Sequence, residues 1–176
     1  MMTQSAGPGY VLRSGQSFQE PVDRLFDFFC SPANLERITP GWLNFRILPP
    51  SPTDVTQGTR IAYRIRLYGV PMNWLTEITA WQPPGRFVDT QVAGPYKRWV
   101  HEHVLKVENG LTVMEDTVRF LSAGPSLLLP TIHRMFVNPR VQAIFNFRQQ
   151  CLRELFRCHT MSPVTIERET KGLVSN

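Results

Sequence analysis

The sequence predicts an α+β domain built on an antiparallel sheet, and three observations carry that prediction. Residues 59–121 fall into consecutive segments that alternate apolar and polar positions, the period of half-buried strands. Helical periodicity is confined to the two flanks, residues 22–39 and the stretch after Pro139. Asn109-Gly110, between two strand-like runs, is the strongest hairpin signal in the chain. Strands in a run, with helices segregated from them, give α+β rather than alternating βαβ units.

Each element has a local reason. Residues 11–19 read as a strand. Pro21 suits a first helical position, and Val22, Leu25, Phe26 and Phe29 then make one apolar helical face. Ser31-Pro32 opens a second short helix, with Ser31 as cap, that stops before Pro40. Residues 43–48 read as a strand followed by a proline-rich loop. Residues 59–67 alternate with Ile61, Tyr63, Ile65 and Leu67 on one face. Gly69 marks a turn, and 72–81 returns with Met72, Trp74, Thr76 and Ile78 facing the same way. Pro83-Pro84-Gly85 breaks the chain before a strand at 86–92, whose inner positions are read as Val88 and Thr90. Residues 97–107 and 111–121 form the Asn109-Gly110 hairpin, and Asn138-Pro139 caps a helix running to about Cys158. The expected fold is therefore a curved antiparallel sheet of about six or seven strands around a long C-terminal helix, with two short helices after the first strand. The domain is expected to span 11–158, between flexible tails at 1–10 and 159–176.

Composition narrows the functional classes. The chain has 176 residues, 42% apolar and 19% charged, enough for one core without disulfide or metal staples. Three scattered cysteines form no CxxC and argue for a reducing compartment, so a cytoplasmic location is expected. No apolar run approaches a membrane span, and the first ten residues lack the apolar core of a signal peptide. The net charge of +5 gives a basic surface. His133, Arg134, Arg140, Arg153 and Arg157 are read as a solvated basic face, and no nucleic-acid partner is expected. There is no GxSxG elbow and no phosphate-cradling glycine loop.

The hairpin holds the chemistry. With Asn109-Gly110 as the central pair of a type I′ turn, Leu105 faces Met114, His103 faces Asp116, His101 faces Val118 and Trp99 faces Phe120. All of these share one face. The opposite face, from Arg98 to Glu108 and from Glu115 to Arg119, is mostly charged and must be the wet one. The apolar residues therefore point inward and take His101, His103 and Asp116 with them. A buried carboxylate needs partners, and directly opposed side chains are close enough for His103 to be one. Arg148 lies on the apolar stripe of the C-terminal helix, among Val141, Ile144, Phe145, Leu152 and Leu155, where it could reach Asp116. Two readings stay open: a satisfied network pinning helix to sheet, or one polar wall of a cavity.

This layout resembles the helix-grip fold of the START/Bet v 1-like (SRPBCC) superfamily. The segments that carry the resemblance are PVDRLFDFFCSPANLERITPGWLNFRIL, GPYKRWVHEH, TVMEDTV and IFNFRQQCLRELF. They are similar to its bacterial ligand-binding or polyketide cyclase/dehydrase-like branch, with Gly41 where that subgroup has proline. The resemblance implies a deep cavity between sheet and helix that takes a lipophilic molecule such as a lipid, quinone or polyketide-like compound.

The candidate binding residues are Tyr63, Ile65, Trp74, Thr76, Trp99, His101, His103, Met114, Asp116, Val118, Phe145 and Arg148. The alternative is a cyclase, aromatase or dehydratase, more weakly supported than a non-enzymatic binder, with His103 and Asp116 as base and Arg148 stabilising an oxyanion. His101 and His103 at i, i+2 could ligate a metal with Asp116, but no further strong ligand or second shell is visible, so no metal and no cofactor is assigned. The apolar, proline-broken stretch 124–137 is a candidate gate or point of transient membrane contact. The chain is expected to be a monomer or homodimer.

Overall fold

The computed structural model describes residues 9–124 and 127–169. Strand β1 (Tyr10–Phe18) is followed by helices α1 (Val22–Cys30) and α2 (Pro32–Arg37). Pro32 occupies the first turn of α2, as expected, while Pro21 sits one residue before α1. A single 3-10 turn at Gly41–Leu43 leads to the two-residue β2 (Arg46–Ile47). A meander follows: β3 (Arg60–Leu67), β4 (Val70–Gln82), β5 (Arg86–Ala93), β6 (Tyr96–Glu108) and β7 (Leu111–Ser122). Helix α3 (Leu129–Ile132) runs through a π-helical turn (His133–Val137) into α4 (Asn138–Leu155), and β8 (Cys158–Arg168) is the last element among the described residues. The strands form one curved antiparallel sheet in the order β2-β3-β4-β5-β6-β7-β1-β8. Among the described residues no helix is long and apolar enough to cross a membrane.

The β6–β7 hairpin has the register the sequence predicts. His103 pairs with Asp116, His101 with Val118, Leu105 with Met114 and Trp99 with Phe120. Asn109 and Gly110 both take positive φ, 50° and 77°, the conformation a type I′ turn requires and glycine tolerates.

Three expectations are corrected. The segment read as a flexible tail from residue 159 instead supplies β8, an edge strand paired with β1. Most of its side chains are exposed, so its alternation is weak; Val164 is buried and Ile166 partly so. Pro163 falls where the β1–β8 register shifts, between Arg13 and Gly15, a place where a missing N–H breaks no ladder. The outer parts of the predicted tails, residues 1–8 and 170–176, lie outside the described residues.

The second correction concerns Asn138, which does not cap a helix. It is itself helical, φ −59° and ψ −45°, and the chain passes through it from the preceding π turn. That wider turn lies just ahead of Pro139, which has no N–H to offer an α-helical ladder. Third, His133 is not on a solvated face. It is fully buried, stacked on Tyr10 at 4.2 Å, with its Nε2 accepting the Ser122 N–H at 3.2 Å. An N–H can only donate, so the proton sits on Nδ1, which faces Asn138 Oδ1 at 3.2 Å. Burial pushes the His133 pKa down.

The helix packs most closely over the β7–β1–β8 side of the sheet. One apolar cluster joins Phe18, Leu25, Phe26, Leu105, Met114 and Leu152; a second joins Leu12, Val118, Phe120, Val141, Phe145 and Val164. Gln149 fixes the helix in register by donating to Ser14 Oγ at 3.0 Å and to the Ser162 carbonyl at 2.9 Å. These bonds satisfy buried polar groups that would otherwise carry a desolvation penalty.

Candidate functional site

Over β3–β6 the helix stands farther from the sheet, and a cavity of about 150 Å³ remains. Its floor is the inner face of these four strands. Its walls are Phe28, Phe29 and Leu35 of α1 and α2, Ile38, Leu43 and Phe45 beyond them, and Ile144, Phe145 and Arg148 of α4. The aromatic end is tightly built. Tyr63 stacks on Trp74 with centroids 5.5 Å apart, Trp99 meets Trp74 edge-on at 5.3 Å, and Tyr96 lies 4.8 Å from Trp99. Such pairs add stabilisation beyond their area and hold each ring in a fixed orientation.

The other end is ionic. Asp116 and Asp89 bracket the two histidines. His101 Nε2 is 3.1 Å and His103 Nδ1 2.8 Å from Asp116 Oδ1; on the cavity side, His101 Nδ1 is 3.4 Å and His103 Nε2 3.3 Å from Asp89 Oδ2. The close His103–Asp116 contact is out of line for a hydrogen bond and is an ionic one. The imidazoles lie 3.8 Å apart, and Phe87 stacks on His103 at 4.1 Å. Thr76 Oγ1 lies 3.1 Å from the Thr90 carbonyl, its nearer acceptor, and 3.4 Å from Asp89 Oδ1.

Burial and charge divide this quartet. Burial raises Asp116, but the charge of His103 and the hydrogen bond from His101 outweigh it, and its pKa falls well below the carboxylate range. Burial likewise raises Asp89, and His101, His103 and Arg148 together bring it below its ordinary value. His103 is lowered by burial, yet facing Asp116 and Asp89 leaves it raised overall. His101, buried beside His103, ends lowered. The two carboxylates thus favour the protonated form of His103, and burial beside it favours the neutral form of His101.

Nine of the twelve predicted site residues line the cavity: Tyr63, Ile65, Trp74, Thr76, Trp99, His101, His103, Phe145 and Arg148. Three do not. Met114 and Val118 belong to the apolar clusters, and Asp116 sits behind the imidazoles, because β7 lies under the closely packed part of α4. Arg148 does not pair with Asp116. It is buried, its guanidinium lies over the Phe145 ring at 4.9 Å, and among the described residues its Nε has no hydrogen-bond partner. Trp74 Nε1 is likewise buried without a partner.

The sequence reading missed Asp89 because it placed Val88 and Thr90 inward. A register shift between Ile78 and Ala80 flips the parity of β4, so Trp81 turns inward after Ile78. Trp81 pairs with Phe87, Asp89 falls two residues on, and β5–β6 pairing sets it against His101. The signal was present as two aromatics flanking Pro83-Pro84-Gly85: treating them as a facing pair brings Asp89 onto the cavity. Cys30, at the rim, has its thiol pushed up to about 12 by burial and by Asp27, which leaves it unreactive.

No family model and no curated protein matches the sequence. Solved structures do. The ginseng major latex-like protein 151 from Panax ginseng superposes with a TM-score of 0.60 at 13% identity, over 86% of this chain and 99% of that one. Protein Ms6760 from Mycobacterium smegmatis gives 0.59 at 18% identity, over 82% and 89%. Ara h 8.0201 gives 0.53 at 17% identity, over 82% and 99%. At these identities the likeness is one of fold.

Proposed function

The chain has the helix-grip fold of the START/Bet v 1-like superfamily, and from that premise we propose that it binds a hydrophobic small molecule between sheet and α4. One observation carries the reading: an aromatic cavity with two buried donors, Arg148 Nε and Trp74 Nε1, that no other protein group among the described residues satisfies. Buried donors are nearly always paired, so two orphans facing one cavity point to an acceptor oxygen on a ligand. The ligand's apolar body lies against Tyr63, Trp74 and Trp99, and its oxygen meets Arg148. A cavity near 150 Å³ holds a single ring or a short chain; a lipid, quinone or polyketide-like compound needs the walls to part.

Native mass spectrometry of freshly purified protein tests this. The expected result is a discrete added mass, lost on denaturation and absent from Arg148→Met. Retention of the same mass by Arg148→Met overturns the role of Arg148; failure of the wild type to bind any aromatic or acyl compound in a displacement screen overturns the function.

A second reading concerns how the ligand arrives. Leu127, Leu128, Met135 and Phe136 of the 124–137 stretch are exposed, and Arg140 stacks on the exposed Trp42 and Tyr68 close by. An apolar patch with a basic rim suits brief contact with an anionic membrane. Residues 125 and 126 lie outside the described residues. Flotation with anionic liposomes, lost in Leu127→Asp/Phe136→Asp, is the expected result. The catalytic alternative is weaker, since both ring nitrogens of His103 face carboxylates, which favour its protonated form and oppose its acting as a base.

A further inference from the structure

The cavity-side corner formed by Asp89, His101 and His103 has the shape of a metal site. A tetrahedral ion with ligand bonds of about 2.0–2.1 Å holds its donor atoms about 3.3–3.4 Å from one another. Asp89 Oδ2 stands 3.4 Å from His101 Nδ1 and 3.3 Å from His103 Nε2, and all three donor atoms lie within 4.8 Å of one another. Two edges of the coordination polyhedron are already at length; the third, between the two ring nitrogens, is within 4.8 Å and shortens as the imidazoles turn toward a shared ion.

The support behind these donors is as telling as the donors themselves. Histidines that bind metal usually give their other ring nitrogen to a carboxylate, which fixes tautomer and orientation. Asp116 does this for His101, 3.1 Å from its Nε2, and lies 2.8 Å from His103 Nδ1 in an ionic contact out of line for a hydrogen bond. The nitrogens turned away from it are the two that face Asp89. Thr76 Oγ1 lies 3.4 Å from the far oxygen of Asp89. The carboxylate expected from sequence as a ligand, Asp116, is thus the outer support, and the ligand that was lacking is Asp89.

We propose that Asp89, His101 and His103 bind a divalent transition ion of the zinc class, with Asp116 positioning both imidazoles and the fourth coordination position open to the cavity. Two imidazoles and one carboxylate suit such an ion and not magnesium or calcium, which prefer oxygen alone. Charge points to the fourth ligand. A divalent ion and Arg148 against two carboxylates leave one positive charge over, which an anionic oxygen cancels. A carboxylate, a phenolate or a hydroxide would serve, the first two as the head of a bound aromatic or acyl compound. That last step rests on the cavity being a ligand site; ion binding itself does not.

The test is titration of the metal-free full-length protein with Co²⁺ and Zn²⁺, followed by visible absorption and calorimetry. One ion per chain is expected, with the intense visible bands of four-coordinate Co²⁺ and no thiolate charge-transfer band. Asp89→Asn should weaken binding by about 100-fold or more, and Asp116→Asn by about 10–100-fold through the second shell. Should those variants fail to fold, ¹⁵N shifts of the wild-type histidine rings give the answer: Zn²⁺ must move His101 Nδ1 and His103 Nε2. No binding, a thiolate band, or shifts confined to His133 or His159 overturns the proposal. A protein that binds the ion but no apolar compound keeps the metal site and loses only the ligand reading.

Discussion

The two ends of strand β6 differ in how they satisfy their inward side chains. Leu105 enters an apolar cluster with Phe18, Leu25, Met114 and Leu152, each nearly or fully buried. Four residues away on the same face, His101 enters a cavity whose wall carries one carboxylate, two imidazoles and an arginine, with a second carboxylate behind them. Helix α4 packs tightly over the first region and stands off the second. A filled region gets its stability from close packing, so its residues are interchangeable with others of similar volume. The unfilled region holds polar groups whose partners are partly other side chains and partly lacking. That difference separates structural residues from candidate functional ones along a single strand.

The largest effect expected is at the boundary. Asp116→Ala leaves two buried histidines without their shared counter-ion, and loss of one partner from a buried ionic network costs about 3–5 kcal/mol. Chemical denaturation measures it; a loss below about 1 kcal/mol, typical of exposed pairs, would mean that the quartet is solvated. Next, Met114→Ala in the filled region should cost about 2–5 kcal/mol, because the cavity it leaves cannot collapse. A small cost there would erase the contrast between the two regions.

Arg148→Met sharpens the comparison from the other side. A buried guanidinium whose Nε lacks a partner contributes little to folding, so stability should change by about 1 kcal/mol or less, or rise. Affinity for an oxygen-bearing aromatic ligand should fall at least about tenfold, the usual cost of a lost charge-assisted hydrogen bond. A Tm drop as large as that of Met114→Ala would make the arginine structural.

The smallest effect is in pH. His103 is raised, so its stabilisation is present at acid pH and lost as pH rises through its folded pKa. His101 and His133 are lowered, so they favour the fold above the ordinary histidine value and withdraw that support as pH falls below it. The opposing signs should leave a shallow stability profile across neutrality. Histidine ring NMR should show His103 titrating above about 6.5 and the other two below it. A reversed order of His101 and His103 would reverse the charge assignment of the quartet.

Much of this was legible along the chain. Asn109-Gly110 and the alternation around it gave the β6–β7 register residue by residue, because a two-residue turn leaves the pairing no freedom. The short helices followed from prolines and a 3.6 period, and Arg148 stood out as a charge on an apolar stripe. Edge strand β8 was not legible, since an exposed strand has little pattern of its own and forms only because β1 offers it a ladder. Asp89 was hidden by one bulge in β4, which inverts inside and outside without changing composition.

What the sequence by itself determined is therefore the local part: the elements from β1 to β7 and the long helix, the hairpin, and the inward placing of His101, His103, Asp116 and Arg148. Those follow from backbone preferences and period, which act over a few residues. Only the tertiary structure decided which buried charges meet. It placed Asp89 beside His101 and His103, put Asp116 behind them, and left Arg148 facing the cavity. Such meetings depend on the relative position of strands and helix, and that is set by packing across the whole sheet rather than by any segment alone.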